Sequence, residues 1–129
     1  MFTIGLSYPA DPAQIAEIQN SITDPKAKVK LDEYRAENWS VPAYQRFLDN
    51  AIAWGQKHGV PLTCNEFGVY KKYAPRAARL AWERDISGLL TENGIGWTKW
   101  DYAGDFAVVK MQDGTRVPDE ELVAALGLR

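Results

Sequence analysis

The chain has 129 residues, of which 46% are hydrophobic and 25% charged, and its formal net charge at pH 7 is −2. This composition is typical of one globular domain with an ordinary core, and it argues against a disordered chain. The sequence has no long run of Lys and Arg, which argues against nucleic acid or an anionic membrane as a partner, because phosphate binding requires concentrated positive charge. A neutral polymer fits this charge balance better.

The sequence contains no pattern typical of a targeting segment or of a cofactor site. No basic start is followed by an apolar region of about 7–15 residues, so we expect no signal peptide, and no stretch approaches the roughly 18 apolar residues of a membrane span. The sequence contains no Cys/His cluster and no Gly-rich phosphate loop, so we expect neither a metal nor a cofactor. The single cysteine, Cys64, lies in an apolar run and is interpreted as an inert buried thiol.

The first forty residues predict one strand and two helices. Residues 2–6 are short and β-friendly, and the apolar spacing of residues 13–19 indicates a helix. The polar stretch that follows can form a second, solvated helix, with Asp24 as its N-cap and Pro25 as its first residue.

The most clearly marked helix is predicted between Ser40, which offers an N-cap, and Gly59, which stops it. Small and apolar residues recur between them at three- and four-residue spacing, as expected for a helix with one buried face. These residues are Tyr44, Phe47, Leu48, Ala51, Ile52 and Gly55. The next run, residues 60–66, is too short for a helix and predicts a buried parallel strand.

A second amphipathic helix is predicted to start at Pro75 and to end at Gly94, and residues 94–100 form the next apolar run. Strand, helix and strand in this order make a right-handed crossover between parallel strands. Within the helix, Glu83-Arg84-Asp85 is interpreted as a stripe that faces solvent.

The end of the chain predicts a hairpin over residues 106–117, with its turn at Asp113-Gly114, and a short helix that ends at Gly127. Residues 1–129 are therefore interpreted as a single α/β domain, a partial (β/α) barrel with about three parallel strands and flanking helices. Three parallel strands cannot close a barrel, and open strand edges pair readily with another chain. We expect a half-barrel that must associate to close.

Two segments place polar and aromatic residues where a strand is predicted to end. They are Leu62-Thr-Cys-Asn-Glu66-Phe-Gly-Val-Tyr70 and Gly94-Ile-Gly-Trp97-Thr-Lys-Trp100-Asp-Tyr102. In a (β/α) barrel the carboxyl ends of the strands carry the chemistry. A carboxylate beside an indole indicates a sugar site, because an aromatic face stacks on the apolar face of a pyranose ring.

These two segments resemble the carboxy-terminal portion of glycoside hydrolase family 5, the cellulase-type endoglucanases that are built on a TIM barrel. The resemblance implies that Glu66 is the nucleophile of a retaining mechanism and that Trp100 is the platform under the sugar at the cleavage point. It also implies that Asp101 and Tyr102 shape the glycone side of the cleft. From the residues alone, Glu66 could be an ordinary strand end, Trp100 a core aromatic, and Asp101 or Tyr102 a cap for backbone amides.

The family's proton donor lies in an Asn-Glu-Pro motif, and this tripeptide does not occur in the sequence. Asp101 is the nearest substitute, which would require a separation from Glu66 of about 5 Å. The family's active-site histidine has no counterpart, since the one histidine, His58, is next to Gly59 and is interpreted as a cap for helix carbonyls. Trp97 is predicted to pack in the core.

Three functions remain open from the sequence. The chain could supply part of a β-1,4-glucanase that is completed by a second copy or by a complementary amino-terminal half, with a β-glucan polysaccharide or oligosaccharide as substrate. It could instead bind carbohydrate without turnover, because the acid/base carboxylate is missing. It could also be a truncated product with no independent task.

Overall fold

The computed structural model describes residues 5–128. This part of the chain contains five helices and four strands, which we number in chain order. They are α1 Pro12–Ser21, α2 Pro25–Glu37, α3 Val41–His58, β1 Thr63–Phe67, α4 Arg76–Glu92, β2 Gly96–Lys99, β3 Val109–Gln112, β4 Thr115–Pro118 and α5 Glu120–Ala125. No helix within residues 5–128 is both long enough and apolar enough to cross a membrane.

The predicted helix boundaries are confirmed to within a residue or two. The Asp24 carboxylate accepts a hydrogen bond from the amide of Lys26 at 2.8 Å, and Pro25 opens α2. Gly59 ends α3 with a φ of 63°, a left-handed conformation that glycine adopts without a steric penalty. Ser40 precedes α3 as expected, but its hydroxyl donates to the carbonyl of Asn38 at 3.0 Å and makes no cap.

The strand–helix–strand unit is confirmed, because β1 and β2 pair in parallel and α4 connects them. In the register of this pair, Cys64 lies opposite Trp97 and Phe67 lies opposite Lys99. The strand predicted at residues 2–6 falls mostly on residues 2–4, which lie outside the described residues. Within residues 5–128 the parallel sheet therefore has two strands, and the half-barrel remains a prediction.

The core lies on one face of this small sheet, between the sheet, α4 and α5. Its buried side chains are Phe67, Ile86, Leu90, Ile95, Leu122 and Leu126. The Trp97 ring packs edge-on against the Phe67 ring with 5.4 Å between centroids, which confirms Trp97 as a packing residue. The opposite face carries Thr63, Asn65 and Thr98, which are exposed.

The prediction that Glu83-Arg84-Asp85 faces solvent is wrong for Glu83, which is completely buried, and for Asp85, whose side chain is only 18% exposed. Arg84 does face solvent, with 64% of its side chain exposed. Glu83 follows the same helical stripe as Arg79 and Ser87, four residues to either side, and both of these are also buried. A charge pattern along the sequence missed this stripe because the partner of Glu83 lies on another element, β2.

Candidate functional site

Glu66 and Trp100 lie at the carboxyl ends of the two neighbouring parallel strands. Glu66 is the fourth residue of β1 and is exposed, while Trp100 directly follows β2 and is 49% exposed. The amide of Trp100 donates a hydrogen bond to the carbonyl of Phe67 at 2.9 Å. This bond continues the strand pairing and fixes the two strand ends beside each other.

Both residues line one cleft of about 450 Å³. Its walls also contain the aromatic residues Trp39, Tyr44, Phe47, Phe67, Trp82 and Phe106. The exposure of Trp100 is inconsistent with a core aromatic, and Glu66 and Trp100 share one cleft as the sequence predicts. Their roles toward a sugar remain predictions.

Gly68 is required for the close approach of the two strand ends. A Cβ atom at this position would overlap the carbonyl oxygen of Trp100 and would lie 2.8 Å from Nζ of Lys99. Real Cβ atoms do not show such contacts, so a side chain here would displace the backbone that carries the indole. The glycine after the acidic strand end is therefore a geometric condition of the cleft.

Asp101 and Tyr102 belong to the loop after Trp100, and neither lines the cleft. The peptide between Trp100 and Asp101 is cis. The half-buried Asp101 accepts a hydrogen bond from the amide of Gly104 at 2.8 Å, as the amide-capping interpretation describes. Tyr102 is 64% exposed, and its carbonyl accepts from the amide of Val109 at 3.2 Å. A role of either residue on the glycone side remains a prediction.

A buried ion pair beneath the cleft was not found from the sequence. The side chains of Lys99 and Glu83 are 8% and 0% exposed, and Nζ of Lys99 lies 3.2 Å from Oε1 of Glu83. Burial raises the pKa of Glu83 and lowers the pKa of Lys99, while the mutual attraction of the two groups opposes both shifts. The sequence did contain a signal for this pair. Glu83 lies on the buried stripe of α4 and Lys99 lies in β2, so two opposite charges occupy core positions of neighbouring elements.

The sequence also singled out Cys64 and His58, and only Cys64 lines the cleft. Cys64, predicted to be buried, is only half-buried, and it lines the cleft with its Sγ 3.5 Å from the carbonyl oxygen of Glu66. His58 is the last residue of α3, is exposed, and lies against the ring of Trp54 with 4.7 Å between centroids. It does not line the cleft.

A second cavity of about 420 Å³ adjoins the cleft and shares Tyr44, Gly68, Trp82 and Phe106 with it. Four of the ten other residues that line it are tyrosines, and burial raises the pKa of one of them, Tyr34, to about 12. No set of three or more His, Cys, Asp or Glu side chains that could hold a metal ion occurs among residues 5–128.

The chain is similar to parts of several larger known proteins. Endoglucanase 3 of Fibrobacter succinogenes is 24% identical over 110 residues, which cover 81% of this chain and 17% of that protein. The chain is similar to endoglucanases. The crystal structure of the cellulose synthase subunit Z from Clostridioides difficile is 27% identical with a TM-score of 0.59, over 67% of this chain and 28% of that one.

Endoglucanase Cel5A from Thermotoga maritima has the same fold in this region. Its complex with mannotriose matches 95% of this chain and 38% of its own, with a TM-score of 0.57 and 18% identity. Its complex with cellobiose matches 68% and 29%, with a TM-score of 0.57 and 22% identity. No protein-family model matches the chain.

The resemblance to the family 5 endoglucanases that the two motifs indicate is thus confirmed as a similarity to part of these proteins. The chain spans 17% of the Fibrobacter endoglucanase and 38% or less of the Cel5A chain. The fold is α/β with a small parallel sheet and flanking helices, similar to part of the barrels of these enzymes.

Proposed function

We propose that this chain contributes the nucleophile and the sugar platform of a retaining endo-β-1,4-glucanase site. The observation that carries the proposal is that Glu66 and Trp100, both exposed, line one cleft at the ends of adjacent parallel strands. Similarity to endoglucanases over 81% of the chain supports the choice of a β-glucan as substrate.

In this proposal Trp100 stacks under the sugar, and the Glu66 carboxylate attacks the anomeric carbon. The bond from that carbon to the leaving oxygen breaks as the new bond forms, and a second carboxylic acid gives its proton to the leaving oxygen. Water then hydrolyses the glycosyl ester on Glu66. Asp101 and Tyr102 would border the glycone side through their loop.

The proton donor must come from outside this cleft lining. Glu66 is the sole carboxylate among the described residues that line the cleft, and no Asn-Glu-Pro tripeptide occurs in the sequence. Among residues 5–128, each strand of the parallel sheet is paired along one edge only, which supports completion by further strands, because open strand edges pair readily. A second copy or a complementary segment would supply both the strands and the acid.

The single carboxylate also favours a second candidate function, which is carbohydrate binding without hydrolysis. In this case the aromatic cleft holds an oligosaccharide, and Glu66 accepts hydrogen bonds from its hydroxyl groups. The two functions differ in whether Glu66 can form a covalent bond to the sugar.

A mechanism-based label separates the two functions even when no proton donor is present. A dinitrophenyl 2-fluoro-cellobioside carries a leaving group that departs without protonation, so a competent nucleophile is trapped as a glycosyl ester. We expect mass spectrometry to find the added fluoro-cellobiosyl group on Glu66 in the wild type and in Glu92→Gln, an exposed glutamate on α4. Absence of the label, together with measurable binding of cellotetraose, would support the binding function instead.

Calorimetry with cellotetraose tests the platform. We expect Trp100→Ala to abolish the heat of binding and Trp54→Ala to leave it unchanged. Trp54 is a matched control, because it is 55% exposed on α3 and does not line the cleft. Equal heats for both variants would reject Trp100 as the platform, and no heat for the wild type would reject both functions for the isolated chain.

A further inference from the structure

The ammonium group of Lys99 contacts two residues of the candidate cleft and one buried carboxylate. It donates hydrogen bonds to the carbonyl of Trp100 and, at 2.8 Å, to the carbonyl of Phe106, and its third partner is the Glu83 carboxylate at 3.2 Å. Three acceptors match the three N–H donors of a charged lysine. Trp100 and Phe106 both line the cleft.

Glu83 extends this cluster to the other strand end. The same oxygen that meets Lys99 accepts a hydrogen bond from the amide of Val69 at 3.3 Å, directly after Gly68. Its second oxygen, Oε2, is buried without a hydrogen-bond partner. The pair therefore joins the segment that follows β1 to the segment that follows β2, beneath the cleft.

We infer that Lys99 and Glu83 are positioning residues that set the place of the Trp100 indole relative to the Glu66 carboxylate. The inference rests on the proposed function, because it concerns the same saccharide site. Neither side chain lines the cleft, so neither touches the sugar. Their effect reaches the site through the backbone at residues 69, 100 and 106.

A purely structural role would not require this arrangement. Two apolar side chains of similar volume would fill the same space, and replacing a buried ion pair in this way is often neutral or stabilising. An apolar pair, however, would leave the carbonyls of Trp100 and Phe106 and the amide of Val69 without their present partners. The hydrogen bonds to the loops are what the charged pair adds.

The test compares Lys99→Met with Asp119→Asn in binding of cellotetraose by calorimetry. Lys99→Met keeps the stem of the side chain and removes its donors, whereas Asp119→Asn disturbs another buried ion pair that is absent from the cleft lining. We expect Lys99→Met to raise the Kd about tenfold or more, which corresponds to roughly 1.4 kcal/mol. Asp119→Asn should bind like the wild type.

The double variant Glu83→Leu/Lys99→Met guards against a single variant that does not fold, because it leaves no unpaired buried charge. We expect it to fold, as shown by circular dichroism, and still to bind cellotetraose about tenfold more weakly. Wild-type affinity in the folded double variant would overturn the inference.

Fluorine NMR of fluorotryptophan-labelled protein keeps the inference testable if the wild type binds no sugar, an outcome that would count against the proposed function alone. We assign the Trp100 signal by its loss in Trp100→Phe. We then expect this signal to shift in Lys99→Met and in the double variant, but not in Asp119→Asn, while the signal of Trp54 on α3 stays in place throughout. An unmoved Trp100 signal in the folded variants would show that the pair does not position the indole.

Discussion

Two clusters of charged side chains join separate elements of this chain, and they differ in what they connect. The Glu83–Lys99 pair is enclosed and joins the two strand ends of the candidate cleft. The Arg76–Asp119 pair joins the start of α4 to the residue between β4 and α5, and Arg76 is 49% exposed. One cluster thus links the two strand ends, and the other links α4 to the segment between β4 and α5.

The two clusters differ in solvent access at their rims. The Arg79–Asp119 pair of the second cluster is also buried, but Arg76 and Glu121 beside it are 49% and 68% exposed. Full burial makes the Glu83–Lys99 pair costly to desolvate, so its net contribution to stability is small compared with the penalty for removing one partner. Around Asp119, a hydrogen bond from Arg76 is the main cause that lowers the pKa of its carboxylate. We therefore expect the contribution of the second cluster to the free energy of unfolding to depend on pH.

The largest effect is expected from breaking the enclosed pair on one side. Lys99→Met leaves Glu83 buried without its counter-charge and should lower the free energy of unfolding by about 3–5 kcal/mol. Glu83→Leu/Lys99→Met should recover most of this loss. Urea unfolding of the four proteins of the cycle measures both, and a loss in the double variant equal to the sum of the single losses would contradict the coupling.

Gly68→Ala tests the close approach that the enclosed pair supports. Its new methyl group would overlap the Trp100 carbonyl, so we expect a loss of about 3 kcal/mol, at the upper end of overpacking costs. Gly88→Ala is the matched control, because it lies within α4 with open space at its Cβ position. It should gain about 0.5–1 kcal/mol from helix propensity, measured in the same urea experiment.

Asp119→Asn should cost about 2 kcal/mol at pH 7, because it removes charged hydrogen bonds to Arg76 and Arg79. The pKa of Asp119 is lowered in the folded state, so its stabilisation is present above the unfolded value near pH 4 and is lost as the pH falls through the folded value. We expect the gap between wild type and variant, measured by thermal unfolding, to close below pH 4. A gap that persists unchanged at pH 2 would contradict this assignment.

The smallest effect is expected at the exposed rim of the second cluster. Glu121 accepts from Arg76 at 2.7 Å, but 68% of its side chain is exposed. Glu121→Gln should therefore change stability by no more than about 1 kcal/mol, and the change should shrink in high salt. A loss as large as that of Asp119→Asn would show that the two carboxylates act as one unit.

Local signals in the sequence predicted much of the fold. The Asp24-Pro25 start of α2 and the Gly59 end of α3 depend on near neighbours in the chain, and both were predicted. The Asp113-Gly114 turn was also predicted, and both residues have the positive φ that this tight hairpin needs. Such features need no knowledge of the tertiary structure.

The candidate site was predictable only in part. Glu66 and Trp100 each end an apolar run, and parallel strand ends meet at one edge of a sheet, so their proximity followed from the pattern. The burial of Glu83 did not, because its partner Lys99 is sixteen residues away and meets it through tertiary packing. A buried charge cannot be told from a solvated one until its counter-charge is located.

The hydrogen-bond acceptors of Lys99 allow side chains of the cleft to be changed without loss of its contacts. Two of them are main-chain carbonyls, at residues 100 and 106, and these oxygens remain whatever side chains the two residues carry. Rings of different size or polarity can therefore be exchanged at both positions while Lys99 keeps its hydrogen bonds to the main chain. A library confined to these two positions would vary the side chains of the cleft while the hydrogen bonds of Lys99 stay in place.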